Sequence, residues 1–348
     1  MEKKDYIFKS SVNSNGEIHG LYNLKAICAL FVVIYHVPLL WGKELTPLTG
    51  VAVPCFFMIS GYFLYVGMPN NEIKKAKRWL RKILFITVIL NVFYLFVNYD
   101  EVLSRYECSW RFYVPLFFQG GLISGVLWYL TAFWEALVVF IIVRHYFSSK
   151  LFYVAPFLLV IGLYAGKYGF LCGRYELKPW LFQSFLSAAI PYMSIGYLVR
   201  KHRICFVGLS KWMKYFVLFY ILIYVERWIL THYFYVRENG TFYLFTMPLA
   251  LSLFIIALNS EKYTCKILSW IGKEHSSNIY FFHMFLYGES ISLFCYIMGC
   301  DIYMNVAALL VYFISILFSF LLSYVCMSAH ALWSMMIQCK NCENKPND

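Results

Sequence analysis

The run LYNLKAICALFVVIYHVPLLW, residues 21–41, decides how the rest of the chain is read. A helix needs about 20 mostly apolar residues to cross the hydrocarbon core of a bilayer. This stretch has that length, and its ionisable side chains are Lys25 and His36. Working outward, nine more segments read the same way: 50–67, 83–98, 126–146, 151–168, 182–200, 214–236, 241–258, 277–298 and 303–327. The segment 112–124 is apolar but short. It reads as a re-entrant or interfacial piece, tolerable only where protein buries its backbone. The expected fold is all-α: a polytopic transmembrane bundle of about ten helices.

Composition agrees. The 348 residues are 61% apolar and 14% charged, with a mean hydropathy of +0.63. A soluble domain has about 45–50% apolar and about 25% charged residues. The composition excludes a soluble enzyme, a disordered chain and a disulfide scaffold. The net charge of +12 does not indicate nucleic acid, because the cations fall in short bursts between apolar runs. Such bursts belong where loops meet an anionic leaflet. With the N-terminus placed inside, the inner segments hold 21 Lys and Arg residues and the outer ones 7. That bias predicts both termini on the cytoplasmic side. The polar first 20 residues, with no small-residue cleavage site after the first apolar run, read as a retained helix rather than a removed leader.

The 11 cysteines indicate no framework. Cys28, Cys55, Cys295 and Cys326 lie in apolar runs, where cysteine behaves as a small hydrophobe. Cys108 and Cys172 fall in two expected outer loops, and spacing alone does not pair them. Cys339 and Cys342 form a single CxxC. A structural zinc site needs four ligands, so no metal is expected. The sequon Asn239-Gly240-Thr241 matters only in a eukaryotic secretory route and receives no role.

Ionisable groups inside a spanning helix cost roughly 2.5–3.5 kcal/mol or more each and tend to mark a site. Lys25 and His36 are eleven residues apart, so they share one helix face, about 16 Å apart along the axis. A snorkelling lysine and a hydrogen-bonded structural histidine fit the same spacing. In VPCFFMISGYFLY (53–65), Ser60-Gly61 places a hydroxyl and a close-packing glycine near mid-depth. In EIKKAKRWLRKIL (72–84), Arg78 and Arg81 share a face, flanked by Lys77 and Lys82. Paired guanidinium forks suit a phosphate-bearing ligand, although a plain positive-inside cluster has the same composition. In LWYLTAFWEAL (127–137), Trp128, Thr131 and Glu135 share a face. Glu135 needs a proton or a partner, for which Lys25 and His36 are the candidates. In NIYFFHMFLY (278–287), Tyr280, His283 and Tyr287 share a face. Glu226 and Arg227 point about 100° apart and read as structural, and Glu289 gets no role.

Taken in order, LYNLKAICALFVVIYH, FFMISGYFL, KRWLRK, LWYL and SWIGKEHSSNIYFFH resemble the membrane-bound acyltransferase family 3, over roughly residues 20–330. The resemblance implies a cytoplasmic N-terminal segment (1–20), one acyltransferase-3-like transmembrane domain (21–327) and a cytoplasmic tail (328–348). It implies transfer of an acyl group, usually acetyl, from cytoplasmic acyl-CoA to a hydroxyl of a carbohydrate, an envelope polysaccharide or a lipid-linked sugar. The expected location is the bacterial inner membrane, with acetyl-CoA as co-substrate, the lipid bilayer as surroundings, no metal and no nucleic acid. The family's Arg, ten residues, then His becomes Lys25 and His36; lysine keeps the charge but loses the fork. Its RxxR matches Arg78 and Arg81, and its Tyr-x-x-His matches Tyr280 and His283. The expected catalytic set is His36, Glu135, Lys25, Ser60 and His283, with His36 as general base. The expected CoA contacts are Arg78, Arg81 and Lys82. Rival readings are a transporter of a polysaccharide or a small polar substrate such as an amino acid, and a scaffold without chemistry.

Overall fold

The computed structural model describes residues 17–104, 123–173, 183–236 and 242–343. Among the described residues the regular structure is helical throughout. The helices are α1 (His19–His36), α2 (Gly42–Thr49), α3 (Ala52–Leu64), α4 (Pro69–Val97), α5 (Tyr99–Ser104) and α6 (Trp128–Tyr146). There follow α7 (Leu151–Ala165), broken by a 3-10 turn at Ala155–Leu158, and α8 (Ile190–Lys201), entered through a π turn at Phe185–Ala189. The last four are α9 (Leu209–Phe234), α10 (Thr246–Asn259), α11 (Lys266–Met298), with a π turn at Ile271–His275, and α12 (Cys300–Glu343).

Among the described residues, five helical stretches are long and apolar enough to cross a membrane: Gly42–Leu64, Pro69–Val97, Trp128–Tyr146, Lys266–Met298 and Cys300–Val325. Leu151–Ala165 and Thr246–Asn259 are apolar but shorter. Each of the ten expected segments contains helix, yet only these five meet the length and apolarity of a crossing. Pro156 removes a backbone donor inside α7 and tightens it into a 3-10 turn. Two boundaries also differ. The basic stretch before residue 83, left outside the expected span 83–98, forms the first turns of α4, continuous with the apolar part, and so carries Arg78 and Arg81 on the helix face their spacing indicated. Residues expected as a tail after 327 continue α12 to Glu343. Cys108, the sequon and all but the last two residues of 112–124 lie outside the described residues.

Two ends can be told apart by their bonds. At one, Glu72 pairs with Arg144, Arg200 bonds Tyr62, Asn259 bonds Phe206, Glu261 accepts from the His19 and Gly20 amides, and Lys273 pairs with Glu17. At the other, Leu40 bonds Asn305, Asn98 bonds Ile123, and Glu226 accepts from Tyr168, Leu244 and Phe245. Lysine and arginine gather at the first, the basic end. Glu226 and Arg227 find separate partners, Arg227 pairing with Glu44 at 3.2 Å, as their 100° separation requires.

Helix α1 lies in the middle, touched by α2, α3, α10, α11 and α12. Glycines set its distance from two of them. A Cβ on Gly272 would stand 1.8 Å from the Tyr22 carbonyl oxygen, and one on Gly20 2.0 Å from that of Ala257. The α3–α8 crossing is reciprocal: a Cβ on Gly61 would sit 1.9 Å from Met193 O, and one on Gly196 1.9 Å from Met58 O. Small residues let backbones approach where lipid offers no competing hydrophobic drive.

Candidate functional site

His36 is the last residue of α1. The chain leaves it through Val37 and Pro38, and α12 grips that exit: Leu40 N–H donates to Asn305 O and Ala308 N–H to Pro38 O. The imidazole is exposed, yet its ring centroid lies 5.4 Å from that of His283, which is fully buried. The two rings thus meet where the end of α1 packs on α11.

His283 sits on α11. Its Nδ1 donates to Tyr280 O at 2.8 Å, with Ile279 O at 3.2 Å. A carbonyl only accepts, so the proton is on Nδ1 and the lone pair is on Nε2. That Nε2 is buried without a hydrogen-bond partner. Such a group calls for explanation, because an unsatisfied buried acceptor costs about 1–3 kcal/mol. The Tyr280 ring stands 6.2 Å from that of His283 and leads into an interlocked aromatic group with Tyr129, Phe56 and Phe57, with Tyr129–Tyr280 at 5.0 Å and Tyr129–Phe57 at 4.7 Å. The Tyr129 hydroxyl lies against Ser60, whose own hydroxyl donates to Phe56 O at 3.0 Å. Helices α1, α3, α6 and α11 thus bring His36, Ser60, Tyr129, Tyr280 and His283 into one cluster.

The remaining expected residues fall elsewhere. Lys25 lies toward the basic end, beside Lys82 and Glu274. Arg78, Arg81 and Lys82 are exposed on the first turns of α4. Glu135 is buried, and neither carboxyl oxygen has a partner. Lys25 and His36, its expected partners, are not within ion-pair distance among the described residues. The reason is angular: Glu135 lies six residues beyond Tyr129, about 240° around α6, away from the direction in which Tyr129 meets Tyr280. Among the described residues no three metal-ligating side chains cluster.

Tyr129 is the site residue that sequence reasoning missed. The face argument on α6 favoured Trp128, Thr131 and Glu135. The signal that would have found Tyr129 is its place inside the quoted LWYL motif.

A polar cleft of about 280 Å³ opens at the end opposite the basic one, lined by Tyr94, Asn98, Glu101, Ser124, Phe285 and Glu289. It adjoins the turn of α11 that carries His283, and the Tyr94 hydroxyl donates to Phe281 O. The geometry therefore offers a basic end, a buried imidazole-and-phenol cluster, and a polar cleft beyond it.

Comparison with known proteins gives a family and two relatives. A family described as an acyltransferase domain matches residues 18–328. A serine/alanine racemase of Enterococcus gallinarum is 28% identical over 261 residues, 69% of this chain and 37% of its own length. An amino-acid racemase of Enterococcus faecalis is 27% identical over 166 residues, 45% of this chain and 23% of its own. The chain thus spans little more than a third of these curated relatives at most. No solved structure matches it.

Proposed function

The chain belongs to the acyltransferase family 3, and from that membership we propose that it is a membrane O-acyltransferase using acetyl-CoA as donor. The acceptor in this reading is a hydroxyl of a cell-surface or lipid-linked carbohydrate. The donor enters at the basic end, which faces the cytoplasm of the bacterial inner membrane, with both termini on that side. The acceptor enters from the cleft at the opposite end.

The observation that carries this reading is the His36–His283 pair, an exposed imidazole whose ring lies 5.4 Å from a buried one with an unpartnered Nε2. His36 takes the proton of the acceptor hydroxyl. The freed oxygen attacks the thioester carbonyl carbon, the C–S bond breaks, and the departing thiolate recovers the proton from His36 as CoA thiol. General base catalysis of this kind is worth about 10²–10⁴-fold. His283 Nε2 accepts a hydrogen bond from the acceptor and holds it against His36. The phenols of Tyr129 and Tyr280 are the nearby donors for the developing oxyanion, with Ser60, whose own hydroxyl donates to Phe56 O, set against Tyr129. Lys25, with Lys82, contacts the donor rather than the oxyanion. Glu135 shapes α6 without joining the proton transfer.

In cells carrying His36→Ala at normal expression, surface glycan should lose its acetyl ester while its export continues. Unchanged ester with export blocked would favour transport instead. A second reading draws on the names of both curated relatives, which act on amino acids. It has the bundle take an amino acid as acceptor or cargo, and uptake of labelled serine abolished by the same variant would favour it.

A further inference from the structure

The basic end carries a cation group that the expected Arg78–Arg81 pair does not account for. Arg200 lies at the end of α8, about 120 residues along the chain from α4, yet its charge and that of Arg78 both act on the Lys75 ammonium. Arg203, on the turn after α8, feels Arg200 in the same way. Helices α4 and α8 therefore bring Lys75 and Arg200 onto adjacent residues of α3, Phe63 and Tyr62, with Arg78 close by.

The packing holds them there. Lys75 Nζ donates to Phe63 O at 2.7 Å and lies 5.3 Å over the Trp79 ring. Phe63 is in the last turn of α3, where the helix leaves carbonyls without intrahelical partners. Arg200 Nη1 donates to the Tyr62 hydroxyl at 2.7 Å, with the guanidinium 4.8 Å over the same ring. Nη1 is the nitrogen engaged, and the half-buried fork has further donors beside it. The acid three residues before Lys75 on α4 is already engaged. Glu72 pairs with Arg144 at 2.6 Å and accepts from the Val66 and Gly67 amides at 3.1 Å and from Tyr197 at 3.2 Å. Among the described residues no carboxylate lies within ion-pair distance of Lys75, Arg78 or Arg200.

Like charges fixed together without an acid repel one another unless an anion arrives. A guanidinium fork with open donors, beside an ammonium and a second guanidinium, matches a terminal phosphate monoester. We propose that Arg200, with Lys75 and Arg78, forms a phosphate-recognition group that selects the 3′-phosphorylated nucleotide of the acyl-CoA donor. Resting on the donor reading above, the inference adds residues from α8 that neither the motif nor the charge run pointed to. An anionic lipid headgroup offers the same chemistry, so the test separates the two sources.

The test is equilibrium binding of acetyl-CoA and its 3′-dephospho analogue to the full chain in nanodiscs, with and without phosphatidylglycerol. Wild type should prefer acetyl-CoA in both. Arg200→Gln should weaken acetyl-CoA binding roughly tenfold or more, as loss of a charge-assisted bond does, and erase the preference. Arg200→Lys, which keeps the charge and a donor for Tyr62, should fall between, showing that the fold survives. Unchanged preference in Arg200→Gln overturns the inference alone. So does an effect seen only as loss of phosphatidylglycerol dependence. No binding by wild type overturns the donor reading and the inference with it.

Discussion

His36 and His283 do different work because their surroundings differ. The first ends a helix and is exposed; the second is locked by Nδ1 onto the Tyr280 carbonyl, with Nε2 buried and unpartnered. A base must reach solvent-borne substrate, whereas an acceptor that orients substrate must be rigid. His283→Gln is therefore expected to lower kcat about ten- to hundredfold while leaving the KM for acetyl-CoA unchanged, within the range of single positioning contacts. Steady-state release of CoA thiol measures both, and an unchanged kcat would remove His283 from the proposal. Of the clustered residues, His36, Ser60 and His283 stood out in the sequence because a bilayer tolerates few polar groups; Lys25 stood out for the same reason but lies toward the basic end. Tyr129 was not: 73 of the 348 residues are Phe, Tyr or Trp, so no single phenol stands out. The closeness of His36 and His283 was invisible too, since periodicity relates residues on one helix and not across the bundle.

Among the elements, α1 and α8 matter most, and glycines place both. At Gly61 and Gly196 the backbones of α3 and α8 touch, so any side chain must push them apart. Gly61→Ala is expected to cost about 1–3 kcal/mol, the range for forced overpacking, and to lower the thermal midpoint in detergent by several degrees. Gly288→Ala, with no atom within 4 Å of the added carbon, should leave the midpoint where it is. Equal shifts in the two variants would show that the crossing is not glycine-limited. Where helices form was readable from apolar runs. Where they end was not: α4 absorbs the basic cluster because Lys, Arg and Glu are good helix formers, and Pro156 breaks α7 inside an apolar run.

Across the whole molecule the bonds sort the chain's connections into two ends, with cations gathered at one. Cysteines exposed near each end make that arrangement testable. Cys205 and Cys265 border the basic end, and Cys300 follows α11 at the other. In single-cysteine variants, an impermeant thiol reagent should label Cys300 from outside intact cells, and Cys205 and Cys265 only in inverted vesicles. Labelling of all three from one face would contradict the proposed orientation. The same two-ended plan places the imidazole pair between donor and acceptor, which is the central claim. Its most direct measurement uses sealed proteoliposomes with radiolabelled acetyl-CoA on the basic side and a carbohydrate acceptor on the other. Wild type should build labelled ester on the acceptor, and His36→Ala should bind acetyl-CoA as tightly yet form ester at least a hundredfold more slowly. Equal ester formation by the two proteins would contradict the account.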